Sequence, residues 1–151
     1  MNNIWTEINE EIPYYMRKVC EKYNMKCEKL TSLESVLFNK KCCLIIQIDR
    51  FEIDMLYLHK EREKISAFQC ASYLALRYDD NDRKGIINDN RAGNTVRNDL
   101  IITANGLISK CEDVLLGETS WLEKYKQSSR FSEVRLSADI VKLLSEKCDF
   151  I

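Results

Sequence analysis

The spacing of apolar and polar residues changes twice along the chain, and each change marks a predicted change of secondary structure. From Ile4 to Tyr23 the apolar residues recur at three- and four-residue steps with charged residues between them. This period is typical of an amphipathic helix. Pro13 lies inside the segment, so it either kinks one long helix or occupies the first turn of a second, shorter helix.

Between residues 24 and 59 the period is close to two, which indicates β-strands. Four strands are predicted, separated by short polar breaks, at residues 25–30, 33–38, 42–48 and 51–58. The short connections favour an antiparallel meander, because parallel strands need long crossover segments. The adjacent Cys42 and Cys43 are expected to point to opposite faces of the third strand.

After the charged run 60–64 the pattern is again helical. Ser66 is predicted to cap a helix that runs to Leu76. Residues 72–78 also alternate well enough to form a strand, so both interpretations of that stretch stay open.

The remaining half of the chain is predicted to be helical apart from one loop. The polar segment 79–93 contains two of the four glycines and is expected to be that loop. A long helix should follow over residues 94–111, with Gly117 suited to a left-handed C-cap. Residues 121–125 form one short amphipathic turn, and Ser137 is predicted to cap the last helix.

These elements predict an α+β fold, in which an antiparallel four-stranded meander packs against several helices as one domain over residues 1–151. The length of 151 residues and the 45% hydrophobic content suit one globular domain with its own core. The longest apolar run, residues 42–46, is far shorter than the ~20 residues that cross a bilayer. No secretory signal is evident at the N-terminus, so a cytoplasmic location is expected.

One histidine, His59, limits the catalytic chemistry that the chain can offer. A nucleophile–histidine pair, a histidine-ligated zinc and a histidine general base would all depend on this side chain. The seven cysteines are irregularly spaced and include no Cys-x-x-Cys motif. We therefore expect reduced, buried cysteines, no metal, no cofactor and no enzyme activity.

Three acidic residues provide the alternative of a metal-dependent hydrolase. Asp49, Glu52 and Asp54 lie on neighbouring predicted strands, and Glu52 and Asp54 share a face at a spacing of roughly 7 Å. The nearby bases Arg50 and Arg62 favour a solvated surface of mixed charge instead.

Charge is unevenly distributed, although 23 basic and 24 acidic residues leave a net charge of only −1. Residues 17–41 contain seven bases and three acids, whereas residues 112–123 contain four acids and no base. The alternation of bases with acids in the first segment argues against direct nucleic-acid binding. The acidic segment lies beside Trp121 and Tyr125, which suits a basic protein surface unless Trp121 packs in the core.

The order of elements resembles that of small bacterial immunity proteins, the cognate inhibitors encoded beside contact-dependent growth inhibition and other polymorphic toxins. The resemblance rests on the N-terminal helix with Trp5, the meander, the polar loop 79–83 and the segment Asp113-Val114-Leu115-Leu116-Gly117-Glu118-Thr119-Ser120-Trp121-Leu122. It implies a protein that binds a cognate toxin domain, expected to be a nuclease, and blocks its active site non-covalently.

An acidic surface would complement the basic cleft of a nuclease. The residues expected to contact the partner are acids in the polar loop and near the end of the long helix: Asp79, Asp80, Asp82, Glu112, Asp113 and Glu118. The alternative is an accessory or regulatory protein-binding domain unrelated to toxins. The sequence leaves the oligomeric state open.

Overall fold

The structure, a computed structural model, describes residues 3–148 and is built on a six-stranded antiparallel sheet. The strands are β1 (Lys26–Thr31), β2 (Glu34–Phe38), β3 (Cys43–Ile48), β4 (Ile53–Glu61), β5 (Lys64–Gln69) and β6 (Glu133–Val134). The α-helices are α1 (Ile4–Tyr15), α2 (Arg17–Tyr23), α3 (Ala71–Ala75), α4 (Asn94–Lys110), α5 (Glu112–Leu115), α6 (Ser120–Lys126) and α7 (Ala138–Lys147). A 3₁₀ turn occupies Asp80–Arg83.

The strands lie in the order β1-β2-β3-β4-β5-β6, and every neighbouring pair is antiparallel. The predicted α+β class and antiparallel meander are confirmed. The predicted number of four strands is wrong, because β5 and β6 extend the sheet.

The sequence pattern does not predict β5, because it indicates the start of a helix in this segment. Ser66 does not cap a helix but lies in β5, opposite His59 of β4. Two adjacent residues explain the strand, since Ala67 packs into one core and Phe68 into the other. The helix begins only at Ala71, so the strand alternative for residues 72–78 is also wrong.

Both faces of the sheet are covered, and β3 is one of the central strands that are buried on each face. On one face Leu44, Ile46 and Ile48 pack in the larger core together with residues of α1, α2 and α4. On the other face Cys43 and Ile45 pack in a smaller core with residues of α7. Cys42 belongs to the larger core, so the predicted opposition of the two adjacent cysteines is confirmed.

The N-terminal helical segment is interrupted, but not at its proline. Pro13 lies inside α1, and the break between α1 and α2 falls at Met16. The buried Asn9 side chain fixes α1 to the first hairpin: its amide donates to Thr31 O at 2.9 Å, and its carbonyl accepts from the Ser35 hydroxyl at 2.9 Å. A buried polar group of this kind is stable only when it is hydrogen-bonded.

Two predicted helix boundaries agree with the structure. Gly117 follows α5 with a φ of 80°, the left-handed conformation that favours glycine. The Ser137 side chain accepts a hydrogen bond from Ile140 N at 3.2 Å and caps α7. Within residues 3–148, no helix combines the length and apolar character needed to cross a bilayer.

A close approach between α4 and Tyr78 depends on glycine. Gly106 is buried in the middle of α4, and a Cβ atom added there would overlap the Tyr78 ring. The ring occupies the space that any larger residue would need, so the helix tolerates the low helix propensity of glycine at this position.

We predict that Gly106→Ala destabilises the protein by about 1–2 kcal/mol, although alanine is the better helix former. Chemical denaturation of the variant and the wild type measures this difference. In a Tyr78→Ala background, where the overlapping ring is absent, the same substitution should be neutral or stabilising. An equal cost in both backgrounds would show that the Tyr78 contact is not the cause.

Candidate functional site

A concave acidic surface lies at one end of the sheet, where the β3–β4 hairpin meets α3, α4 and the 3₁₀ turn. The cleft has a volume of about 750 Å³. Six carboxylates line it, against the guanidinium groups of Arg83 and Arg130: Asp49, Glu52, Asp54, Asp79, Asp80 and Asp99. It joins two groups that the sequence separates, the carboxylates of the hairpin and those of the polar loop.

Asp54 is held in place at the start of β4 by two donors. One carboxylate oxygen accepts from Met55 N at 2.8 Å, and the other accepts from the Gln69 side-chain amide at 2.7 Å. Gln69 in turn accepts a hydrogen bond from the Ser132 hydroxyl at 2.7 Å. The polar chain Asp54–Gln69–Ser132 therefore fixes the wall of the cleft across β4, β5 and the segment before β6.

Tyr125 of α6 reinforces the same wall from inside the core. Its buried hydroxyl donates to Gln69 O at 2.7 Å and accepts from Ser132 N at 2.9 Å. Its ring packs edge-on against Phe68 of β5. Because one hydroxyl serves two otherwise unpaired backbone groups, the end of β5 and residue 132 are held at a fixed separation.

Asp99 of α4 is the acid of the cleft that the sequence analysis missed. Its carboxylate accepts from Ile53 N at 2.9 Å and so connects α4 to the beginning of β4. Burial raises the pKa of Asp99 above the ordinary carboxyl value, and the nearby charge of Glu52 acts in the same direction. A weak signal was present, since Asp99 is a lone acid beside the apolar stripe of the long helix.

The three predicted contact residues of the polar loop have different environments. Asp80 is exposed, whereas Asp79 pairs with Lys110 at 3.2 Å. Asp82 is only 2% exposed and accepts from Ser109, Lys110 and Asp79 N. Burial alone would raise the pKa of Asp82, but these three donors together lower it. Its burial argues against a direct contact with a partner, and we interpret Asp82 as a residue that holds the loop on α4.

The second predicted patch lies outside the cleft. Asp113 forms a bidentate pair with Arg77, with distances of 2.7 and 3.1 Å. Glu112 and Glu118 are exposed and do not line the cleft. Trp121, the expected aromatic anchor of this patch, is buried in the larger core, as the alternative interpretation required.

Exposed apolar side chains lie next in sequence to residues of the cleft. Phe51 is 79% exposed and precedes Glu52, and Leu76 is 61% exposed and follows Ala75, which lines the cleft. Phe131 is 42% exposed and lies between two lining residues, Arg130 and Ser132. Phe131 also packs on the rings of Phe68 and Tyr125, which leaves Phe51 and Leu76 as the more exposed apolar side chains next to lining residues.

In the part of the chain that the structure describes, His59 and the buried cysteines lack the contacts of an activated nucleophile. His59 faces Ser66 across β4 and β5, yet within residues 3–148 no hydrogen bond joins the two side chains. Five of the seven cysteines are buried, and burial raises the pKa of Cys42 to about 12 and that of Cys111 to about 11. Such thiols stay protonated near neutral pH and are poor nucleophiles.

Comparison of the chain with protein-family models, with curated proteins and with solved structures found no match. The resemblance to immunity proteins therefore stays a prediction, and the function proposed below is argued from the geometry and charge of the cleft.

We predict that Asp82→Asn destabilises the protein by about 1–3 kcal/mol, because the Asp79 N–H and Lys110 lose a charged acceptor. The matched substitution Asp80→Asn, at an exposed acid two residues away, should change stability by less than about 0.5 kcal/mol. Urea denaturation of both variants measures the difference. Equal effects would contradict a structural role for Asp82.

Asp99→Asn is predicted to become increasingly stabilising as the pH rises. A carboxyl group with a raised pKa in the folded state contributes most stability at low pH, and that contribution is lost as the group ionises. Asparagine keeps an acceptor for Ile53 N without the charge. Urea denaturation from about pH 4 to about pH 8 should show that the free energy of unfolding of the variant rises relative to that of the wild type. Asp80→Asn is the control. A constant or shrinking difference would contradict the prediction.

Proposed function

We propose that the protein is a cytosolic immunity protein that binds a basic toxin domain, such as a nuclease, and blocks its active site without covalent chemistry. The observation that carries the proposal is the acidic cleft, where six carboxylates face two arginines in one concavity. The resemblance in element order and the Leu-Leu-Gly-Glu…Trp-Leu segment support it independently.

Charge complementarity favours a nuclease domain as the partner. An enzyme that cleaves RNA or DNA attracts phosphates with a basic cleft, and an acidic surface competes for that cleft. Opposite potentials also accelerate association, to about 10⁸–10⁹ M⁻¹s⁻¹ at low salt compared with about 10⁵–10⁶ M⁻¹s⁻¹ for neutral surfaces. Fast binding suits an inhibitor that must neutralise a toxin before it acts.

The shape of the surface supports insertion of basic side chains from the partner. A concavity of about 750 Å³ has room for more than one lysine or arginine side chain. Phe51 and Leu76, which are exposed next in sequence to lining residues, would add apolar contact with the partner. Blocking the toxin's active site requires an interface of about 1,600 Å² of total buried area, so the surface around the cleft would also contact the toxin domain.

The hydrolase alternative uses three of the same carboxylates but gains less support. Both oxygens of Asp54 already accept hydrogen bonds from Met55 N and Gln69, and Asp49 accepts from Arg50 N. Among residues 3–148, no group of three or more histidine, cysteine or acidic residues has the arrangement of a metal site. The alternative of a protein-binding module unrelated to toxins would use the same cleft and differs only in its partner.

The proposal predicts that a toxin domain is encoded beside this protein, and the binding test uses that domain. Glu52→Lys with Asp80→Lys reverses two exposed charges of the cleft, neither of which forms an ion pair within residues 3–148. We predict that this double variant weakens toxin binding at least about tenfold by calorimetry and no longer protects RNA or DNA from cleavage.

The matched control is Glu112→Lys with Glu118→Lys, two exposed acids outside the cleft, and it should bind and protect like the wild type. Unchanged circular dichroism and thermal unfolding establish that both double variants are folded. Loss of binding in the control alone would assign the interface to the helix end instead of the cleft. Binding without inhibition of cleavage would favour an accessory protein over an immunity protein.

A further inference from the structure

A second, basic cleft of about 530 Å³ lies between the end of α2, the β2–β3 turn and the end of α5. It shares no lining residue with the acidic cleft. Four lysines and no carboxylate line it: Lys22, Lys26, Lys40 and Lys41. Its apolar surface comes from Tyr23, Phe38, Leu115 and Leu116.

Among the described residues, no carboxylate forms an ion pair with these four lysines. The neighbouring Lys29 of β1, in contrast, pairs with Glu10 at 2.6 Å. Like charges gathered around one concavity repel each other, and an anion bound between them would relieve that repulsion.

The walls of the basic cleft are held by specific contacts. The Asn39 side chain donates to Tyr23 O at 2.9 Å and accepts from Lys41 N and Cys42 N, each at 2.8 Å. It thus fixes the β2–β3 turn against the end of α2. On the other side, a Cβ atom at Gly117 would lie only 2.8 Å from Lys41 O, so the connection after α5 packs directly on the turn.

We propose that the basic cleft binds an acidic peptide segment of a partner protein that has an apolar centre. The lysines would pair with the carboxylates, while the apolar centre of the peptide would pack on Leu116, which is 42% exposed.

A peptide fits this cleft better than a single-stranded nucleic acid. Nucleic-acid bases stack on exposed aromatic faces. Here the face of Tyr23 is covered by Lys22, whose Nζ lies 5.4 Å from the ring centroid, and Phe38 is only 2% exposed. The accessible apolar surface is aliphatic, which suits a leucine or phenylalanine side chain of a peptide.

The test measures fluorescence anisotropy with three labelled hexapeptides and the intact protein. The first, Glu-Asp-Leu-Phe-Asp-Glu, combines charge with an apolar centre. The second, Gln-Asn-Leu-Phe-Asn-Gln, removes the charge, and the third, Glu-Asp-Gly-Ser-Asp-Glu, removes the apolar centre. We expect the first peptide to bind most tightly and its affinity to fall as salt is added, because the lysines are exposed to solvent.

Substitutions locate the binding site on the protein. Lys26→Glu with Lys40→Glu should weaken binding of the first peptide roughly fivefold to twentyfold, since two attractions become repulsions. Lys60→Glu with Lys142→Glu, at two exposed lysines outside the cleft, is the matched control and should bind like the wild type. Leu116→Ser should weaken the first peptide but leave the third unchanged.

Three outcomes would overturn the proposal. The first is equal binding of the first and third peptides, which would leave the apolar surface without a role. The second is tighter binding of a single-stranded oligonucleotide that is lost in Lys26→Glu with Lys40→Glu, which would make the ligand a nucleic acid. The third is self-association in sedimentation that the same variant abolishes, which would make a second copy of the chain the occupant.

Discussion

Burial of β3 on both faces is the constraint on which the rest of the structure depends. Leu44 and Ile46 require a cover of helices on one side, and Cys43 and Ile45 require α7 on the other. A strand that is apolar on both faces is stable only in the interior of a sheet between two layers. The meander around it therefore grows outward in both directions, to β1 on one side and to β6 on the other.

The same constraint places the charged groups at the ends of the strands. Carboxylates are too costly to bury unpaired in the middle of a covered sheet, so they lie where the strands begin, end and turn. Asp49 and Glu52 flank the β3–β4 turn, and Asp54 follows at the start of β4. Asp99 is brought beside them because its carboxylate bonds to Ile53 N. The acidic cleft thus forms where the covered sheet ends and the acids of the hairpin, α4 and the 3₁₀ turn meet.

The net charge of −1 conceals two surfaces of opposite sign. The acidic cleft and the basic cleft share no lining residue, and the charged side chains that line each of them are mainly of one sign. Groups that the protein uses for its own stability are recognised by their contacts: Asp82 is enclosed by Ser109 and Lys110, and Asp113 is paired with Arg77. Acids that remain exposed are the ones available to a partner. We therefore assign the paired acids to stability and the unpaired acids to binding.

The sequence by itself determined the fold class, the antiparallel meander and the helix caps at Gly117 and Ser137, because these features depend on local periodicity and backbone preference. It failed for β5, since the extended state of this segment is decided by pairing with β4 and by the packing of Ala67 and Phe68 into the two cores. Only the tertiary structure decided which acids share a surface. Asp79 and Asp99 are distant in sequence from Glu52, and their meeting in one cleft depends on long-range packing that no local pattern records. The same packing buries Asp82, although the sequence predicts an exposed acid there like its neighbours in the loop.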